Sequence, residues 1–288
     1  MSINRNILKE LDEIETLPTL PPVALKVNAQ LQDLDISIKK LSETIEKDQA
    51  MASKILKLVN SAFFGLSTRI GNIQHAIVLL GFNTVRNAVV TVSTINTFNT
   101  FSKNENIHGF DVKTFWKHSI TVAATSRHLA LLSRLHPPED AFMGGLLHDI
   151  GKFVLFCYFR DEFLKVWEQI RDQGCSFYEA ERKVLGISHD RIGGRLAKKW
   201  KLPDDIVNAI LYHHRLEKNP GSSSPPMLVH AADALVNGWE SSGSKPKKCR
   251  IDDPKAQKLM GGYLDNAGAW YPEICNDVDS VCRLLLEA

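Results

Sequence analysis

The sequence predicts an all-α fold, and two observations support this prediction. Apolar residues recur at steps of three and four along most of the chain, as amphipathic helices require. No stretch alternates between apolar and polar residues for long, so half-buried strands are not expected. No internal repeat is visible, and the chain therefore reads as a succession of helices joined by turns.

Residues 22–96 are predicted to form a series of helices. Three prolines, Pro18, Pro21 and Pro22, predict an extended segment before the first of these helices, because proline disfavours helical torsions in the residue before it. Between residues 41 and 59 the helical period is interrupted around Asp48, so this segment forms either one helix or two consecutive ones. After a turn, the period returns in two sets, Ile73, Ile77, Leu80 and Val85, Val89, Val92.

Helical signals continue beyond residue 111. We expect a helix over residues 115–132, a break at 136–138, a helix from about Asp140 through His148-Asp149, and a helix over the apolar stretch 153–159. Ser176 and Glu179 have the capping-box spacing of a helix start, and this helix should end at Gly186. Ser188 is expected to cap the next helix, which stops before Pro203. Further expectations are a loop over 221–226, a short helix over 227–237 and a loop over 240–250.

Composition shifts suggest three parts. A polar, glycine-containing stretch over residues 99–109 predicts a subdomain boundary near residue 108. We therefore expect a helical N-terminal part over 1–108, a second helical part over 109–240, and a basic loop with a helical tail over 241–288.

The overall charge excludes some classes of function. Lys and Arg number 35 against 33 Asp and Glu, so the formal net charge of the 288 residues is +2. This balance provides no broad basic field for nonspecific binding to DNA or anionic membranes, and no DNA-binding motif is visible.

Five cysteines without a CxxC pair argue against a disulfide framework or a cysteine-rich zinc module. The chain shows no signal-peptide core and no run approaching about 18 uncharged apolar residues, so we expect a soluble cytoplasmic protein.

The histidines are unusually clustered, because eight of the ten fall between residues 118 and 230. In residues 145–152, GLLHDIGK, His148 and Asp149 form an adjacent nitrogen and oxygen donor pair that suits a divalent metal. Lys152 shares a helix face with Asp149, and its ammonium could meet a phosphate oxygen. His213 and His214 are adjacent, so they converge on one ion only near a helix end or with the ion between them. Taken singly, five histidines are better explained as structural or surface residues: His75, His108, His128, His136 and His230.

These motifs resemble the HDOD family, the signal-output relatives of the HD superfamily of metal-dependent phosphohydrolases. In the N-terminal half the resemblance rests on residues 17–21, 45–48, 58–64 and 74–82, and together with the 115–214 region it spans roughly residues 15–240. It implies a helical N-terminal bundle packed on an HD-type helical domain.

The resemblance also implies a dinuclear metal site. By analogy, one ion would be bound by His118, His148, Asp149 and Asp233, and the other by Asp149 as a bridge with His189, His213 and His214. Asp149 and Lys152 would be the residues that take part in catalysis, if there is any. Imidazole and carboxylate donors without thiolate favour iron or manganese, with zinc, nickel or magnesium as alternatives.

Three positions depart from the relatives of the cyclic-dinucleotide phosphodiesterase branch. Arg215 stands where these relatives have a glutamate, and no Gly-Tyr-Pro motif follows it. Thr114 and Val236 replace acidic groups that some relatives use for a third metal. A trinuclear site and hydrolysis of cyclic di-GMP are therefore not expected.

Two classes of function stay open at this stage. The first is a signalling output protein that acts by binding a partner protein or an anionic nucleotide, with the metals in a structural or sensing role. The alternative is a metal-dependent phosphohydrolase acting on a nucleotide or a cyclic-dinucleotide phosphodiester. A basic helix face could receive an anionic ligand near the metals, although a solvated face is the simpler explanation of Arg191, Arg195, Lys198 and Lys199.

Overall fold

The fold is described from a computed structural model. It covers residues 7–14, 20–33, 35–61, 64, 66–102, 110–220, 224–242, 251 and 253–286. Helices α1 to α5 span Ile7–Glu13, Pro22–Gln30, Ile38–Glu46, Gln49–Val59 and Ile73–Ser102. Helices α6 to α10 span Val112–Ser133, Pro138–Leu147, Ile150–Tyr158, Arg160–Gln173 and Phe177–Val184. Helices α11 to α15 span His189–Lys199, Asp204–Tyr212, Pro225–Ser242, Pro254–Asp265 and Ala267–Leu286, and a short 3-10 helix spans Leu216–Lys218. Within these ranges no β-strand is present, which confirms the all-α prediction.

The segment over residues 41–59 forms two helices, α3 and α4. Asp48 separates them, because its carboxylate accepts a hydrogen bond from the amide of Met51 at 3.0 Å and so caps the start of α4. The two apolar sets that begin at Ile73 and Val85 both lie in α5. Gly81 joins them with φ 81° and ψ 166°, a non-helical conformation that glycine adopts without a steric penalty.

The helix predicted to run through His148-Asp149 is instead two helices. Helix α7 ends at Leu147 and α8 begins at Ile150, so His148 and Asp149 lie in the junction between them. The stretch 153–159 is helical up to Tyr158, as predicted, because it forms most of α8. The sequence alone did not reveal this break, since the apolar pattern continues through it.

Of the remaining expected boundaries, one is confirmed and two differ. The capping box of Ser176 and Glu179 is confirmed at the start of α10. Ser188 makes no capping hydrogen bond, because its hydroxyl donates to the carboxylate of Asp190 at 2.5 Å. Helix α13 begins at Pro225 and ends at Ser242, so it includes residues predicted as loop at both ends. Proline is tolerated in the first turn, where no intrahelical donor is needed. Residues 243–250 of the predicted loop lie outside the described ranges.

Two apolar cores organise the chain. The larger contains side chains of α1 to α12 and α15, and the smaller one is built mainly by α6, α13, α14 and α15. The larger core crosses the predicted boundary near residue 108: Phe98 of α5 meets Phe153 of α8 edge-on, with ring centroids 4.7 Å apart. Residues 103–109 of that boundary lie outside the described ranges, and the division into parts stays a prediction.

Two stretches are long and apolar enough to cross a membrane by length and composition, Ile73–Phe98 and Pro138–Tyr158. Buried residues make up 67% and 83% of their most apolar windows. Such burial is what core helices of a folded domain show, and these stretches are weak evidence for a membrane span.

Candidate metal centre

All seven predicted metal-ligating residues lie close together, although they come from five places in the chain. His118 lies on α6, His148 and Asp149 lie between α7 and α8, and His189 is the first residue of α11. His213 and His214 directly follow α12, and Asp233 lies on α13. The helix end at Tyr212 allows the adjacent histidines to converge, and their ring centroids are 4.1 Å apart.

The donor atoms form two groups, in each of which all ligand atoms lie within 4.8 Å of one another. The first group contains His118, His148 and Asp233, and the second contains Asp149, His189, His213 and His214. In the first group, the Asp233 Oδ1 atom lies 3.2 Å from His118 Nε2 and 3.7 Å from His148 Nε2. The two groups contain the donors of the two sets implied by the resemblance, except that Asp149, which both sets share, belongs to the second group only.

Asp149 lies between the two groups. Its Oδ1 atom is 3.0 Å from the Nε2 atom of His189, in the second group. Its Oδ2 atom is 3.4 Å from His148 Nε2 and 4.0 Å from His118 Nε2, in the first group. One carboxylate therefore faces both groups with different oxygens, which is the arrangement that a bridging ligand needs.

Hydrogen bonds to Nδ1 orient the imidazoles of the centre. The Nδ1 atom of His148 lies 2.6 Å from the carbonyl oxygen of Gly145, and that of His213 lies 2.8 Å from the carbonyl oxygen of Ile210. Since a carbonyl only accepts, each Nδ1 carries the proton and the lone pair of Nε2 points into the centre. Histidine ligands of metals in proteins are usually oriented in this way.

Carboxylates orient two further histidines of the centre, and neither carboxylate was among the candidate site residues. The Nδ1 atom of His189 lies 2.6 Å from Glu181 Oε2, and that of His118 lies 3.1 Å from Glu240 Oε2. Glu240 follows Asp233 by seven residues, or two helical turns, so the two share a face of α13. That spacing was a usable signal for Glu240, whereas nothing in the local sequence pointed to Glu181.

Two buried imidazole nitrogens at the centre lack hydrogen-bond partners among the described residues. They are His148 Nε2 and His213 Nε2. Buried polar atoms are normally paired, because leaving one unpaired costs about 1–3 kcal/mol. A metal ion bound by these lone pairs would remove that cost, so the residues present fit a metal.

Carboxylates raise the pKa values of three histidines at the centre. Burial lowers the pKa of His148, but the carboxylates of Asp149 and Asp233 together outweigh burial and raise it. Burial lowers the pKa of His118, but its hydrogen bonds to Asp233 and Glu240 outweigh burial and raise the pKa to about 10. Burial also lowers the pKa of His189, and the negative charges of Glu181 and Asp149 together outweigh it, so that pKa rises to about 9. Without a metal, the side chains of His118 and His189 are therefore protonated at neutral pH.

The paired histidines behave in the opposite way. Burial lowers the pKa of His213, and the positive charges of His148 and His189 lower it further, to about 3. Burial and the neighbouring His213 hold the pKa of His214 far below its usual value. Both imidazoles are neutral at pH 7, which is the form that binds a metal.

Lys152 completes the centre. Its Nζ atom lies 2.6 Å from Asp149 Oδ2 and 5.2 Å from the centroid of the Phe177 ring. Burial raises the pKa of Asp149, but the positive charges of His148 and Lys152 outweigh it and hold that pKa well below its usual value. The predicted contact on one helix face is thus present. A role of Asp149 and Lys152 in catalysis stays a prediction.

Close backbone packing sets the distance between Asp149 and His189. A Cβ atom added to Gly151 on α8 would lie 2.0 Å from the carbonyl oxygen of His189 and 2.9 Å from the amide nitrogen of Gly193. Only glycine lets α8 and α11 approach this closely, and this approach brings the two donor groups together.

The three departures noted in the sequence do not supply donors here. The Thr114 hydroxyl donates to Asp111, and Val236 is fully buried in the smaller apolar core. Arg215 donates from Nε and Nη2 to the buried Asp190 carboxylate, at 3.0 Å and 2.7 Å.

The basic face of α11 is not simply solvated. Arg195 pairs with Asp12 of α1, and the Lys199 ammonium donates to the carbonyl oxygen of Leu11 at 2.8 Å. Two of its four basic residues thus attach α1 to the rest of the chain.

Three of the histidines expected to be structural contact other groups through their side chains. His128 packs on the Trp270 ring with centroids 4.5 Å apart, and His230 Nδ1 lies 2.7 Å from the carbonyl oxygen of His213. His136 Nε2 lies 3.6 Å from Asp205. His108 lies outside the described ranges.

Comparisons with solved structures agree with this architecture. A Geobacter sulfurreducens HDOD domain protein of unknown function is 25% identical, with a TM-score of 0.77, and the match covers 96% of this chain and 97% of that one. A Shewanella amazonensis protein described provisionally as a metal-dependent phosphohydrolase is 20% identical, with a TM-score of 0.64 and 96% of both chains covered. The second match shows similarity of fold.

Curated relatives match over shorter parts of their length. An uncharacterized protein of Treponema pallidum is 25% identical over 221 residues, which are 74% of this chain and 40% of that protein. Ribonuclease Y of Thermotoga petrophila is 35% identical over 118 residues, which are 41% of this chain and 17% of the enzyme. The matches thus span 40% or less of these relatives.

The family model for the HDOD domain matches residues 17–216. This range contains most of the larger core and six of the seven donors of the centre, all but Asp233. The match covers more than half of the 288 residues, and the chain belongs to the HDOD domain family.

Proposed function

We propose that this protein is a signalling output protein that binds a pair of first-row divalent metal ions and acts by binding a partner protein or an anionic nucleotide. One observation carries the proposal: seven donors form two groups around Asp149, and the imidazoles of His148 and His213 present unpaired Nε2 atoms to them. A centre this complete, assembled from five places in the chain, is hard to explain as a set of unrelated structural histidines.

The first ion would be bound by His118, His148 and Asp233, and the second by His189, His213 and His214, with Asp149 between them. Such a pair of ions polarises phosphoryl oxygens and activates water when both are bound. The donors are nitrogen and oxygen without thiolate, which favours iron or manganese.

The charge of the centre supports two ions rather than one. Four carboxylates contact the residues of the centre, those of Asp149, Asp233, Glu181 and Glu240, and the ammonium of Lys152 contacts Asp149. With neutral imidazoles this set has a net charge of −3. One divalent ion would leave −1, which repels a phosphate, whereas two ions would give +1, which attracts it.

Hydrolysis of a phosphodiester on the same centre is the second candidate, and the position of Lys152 favours it. Its ammonium lies beside the shared carboxylate with 21% of the side chain exposed, so it can approach both the centre and a ligand that enters from solvent. The provisional phosphohydrolase from Shewanella amazonensis and ribonuclease Y are consistent with this class of reaction.

Metal analysis and a substrate panel test both candidates. Protein purified without chelators should contain about two first-row ions per chain, and Asp149→Asn should lose them. A panel of nucleotides, cyclic dinucleotides and short RNA with added Mn²⁺ or Fe²⁺ then separates the candidates. Turnover that disappears in Asp149→Asn favours hydrolysis, and metal without turnover favours the output role. Absence of metal in the wild-type protein, together with no uptake of Mn²⁺, would refute both.

A further inference from the structure

Helix α10 contributes a completely buried carboxylate behind the second donor group. The side chains of Glu181 and His189 are both 0% exposed, and their Oε2 and Nδ1 atoms are 2.6 Å apart. The other oxygen, Oε1, makes no hydrogen bond within the described residues. Burying a carboxylate is costly unless it is paired, so the pairing with His189 is the interaction that offsets this cost.

The same oxygen also fixes the backbone of His189. The amide of His189 donates to Glu181 Oε2 at 3.0 Å. This amide belongs to the first turn of α11, where N–H groups have no partner within the helix. Ser188 does not satisfy it, because the Ser188 hydroxyl donates to Asp190. Glu181 therefore takes the role of the missing cap, and one carboxylate holds both the helix start and the imidazole.

This arrangement determines where the second nitrogen of His189 points. With Nδ1 donating to Glu181, Nε2 lies 3.0 Å from Asp149 Oδ1 and 3.1 Å from His214 Nε2. Rotation of the ring would break the contact with the buried carboxylate. The ligand atom of His189 is thus positioned before any metal binds.

The other imidazoles have weaker partners. Neutral carbonyls orient His148 and His213, and the carboxylate behind His118 belongs to Glu240, whose side chain is 49% exposed. A buried charged acceptor holds an imidazole in one orientation more firmly than a neutral or solvated one does. The two donor groups are therefore not equivalent.

Resting on the proposed metal centre, we propose that Glu181 is a positioning residue for His189 and makes the second donor group the tighter of two unequal metal sites. Metal would then bind in two steps, first beside His189 and then beside His118.

Manganese titration of the full-length apo-protein tests this, with free Mn²⁺ counted by its EPR signal. Wild-type protein should show a tight and a weak step. Glu181→Gln keeps the size of the side chain and removes its charge, and it should weaken the tight step by about 10- to 100-fold while the weak step stays unchanged. Glu240→Gln is the matched variant, and it should weaken only the weak step, by a smaller factor because Glu240 is half exposed.

Three outcomes would overturn the inference. Unchanged binding steps in Glu181→Gln would refute the positioning role while leaving the metal centre intact. Equal weakening of both steps, with a lower melting temperature of the apo-protein, would show that Glu181 only supports the fold. Wild-type protein that takes up no Mn²⁺ would overturn both this inference and the proposed metal centre.

Discussion

Replacing Gly151 with alanine should separate helices α8 and α11 and so disrupt the second donor group. The new Cβ would lie 2.0 Å from the carbonyl oxygen of His189, 2.8 Å from its carbonyl carbon and 2.9 Å from the amide nitrogen of Gly193. All three are backbone atoms, so no side-chain rotation can relieve the contact. Ordinary contact begins near 3.4 Å, and α11 would therefore have to retreat by about 1.4 Å from its present position.

That displacement is large compared with what a metal site tolerates. His189 Nε2 now lies 3.0 Å from Asp149 Oδ1, and metal–ligand distances vary by only about 0.2 Å between good sites. Overpacking of this kind costs about 1–3 kcal/mol of folding free energy. We expect Gly151→Ala to remain folded with a lower melting temperature and to lose the tight step of Mn²⁺ binding.

Gly262→Ala is the matched control. Gly262 lies within α14 and has no atom within 4 Å of the position of an added Cβ. Alanine is favoured over glycine by up to about 1 kcal/mol in a helix interior, so this variant should be as stable as the wild type or more stable and should bind metal normally. Differential scanning calorimetry and Mn²⁺ titration measure both properties. If Gly151→Ala kept the wild-type melting temperature and both binding steps, the inferred close packing of the two helices would be incorrect.

Three further predictions concern the centre and its support. Asp149→Asn should abolish both steps of Mn²⁺ binding, because one carboxylate faces both donor groups. Metal uptake at pH 7.5 should release about two protons or more, because the pKa values of His118 and His189 are raised to about 10 and about 9 and that of His148 is raised as well. The apparent affinity should therefore rise with pH between 6 and 8.5, as calorimetry in two buffers would measure. Arg86→Met should destabilise the fold by about 3 kcal/mol, because it leaves the partly buried Asp140, now 3.3 Å from the guanidinium, without this partner.

Each of these predictions has a clear contrary result. Tight Mn²⁺ binding by Asp149→Asn would show that the shared carboxylate is not a ligand. Uptake without proton release, or an affinity that falls as pH rises, would contradict the charge states assigned to His118 and His189. A change in unfolding free energy below about 1 kcal/mol for Arg86→Met would assign that pair to the weak surface class.

The helical class of the fold and most of its elements could be predicted from local pattern. The interruption at Asp48 and the capping box at Ser176 depend on neighbouring residues only, and both are present in the structure. Errors arose where tertiary contacts overrode local preference. Ser188 is a good capping residue, yet its hydroxyl donates to Asp190 instead, and helix α13 extends through Pro225 and Pro226 because both are buried in the protein.

The seven candidate donors were named from their residue types, their order along the chain and a family resemblance, all of which are properties of a linear sequence. Their grouping was not open to such reasoning, since it depends on how closely α8 and α11 pack at Gly151 and on a break between α7 and α8 that the apolar pattern conceals. Glu181 could not be identified for the same reason. Its importance comes from the burial and direction of its carboxylate, and these are set by contacts between helices rather than by its neighbours in the sequence.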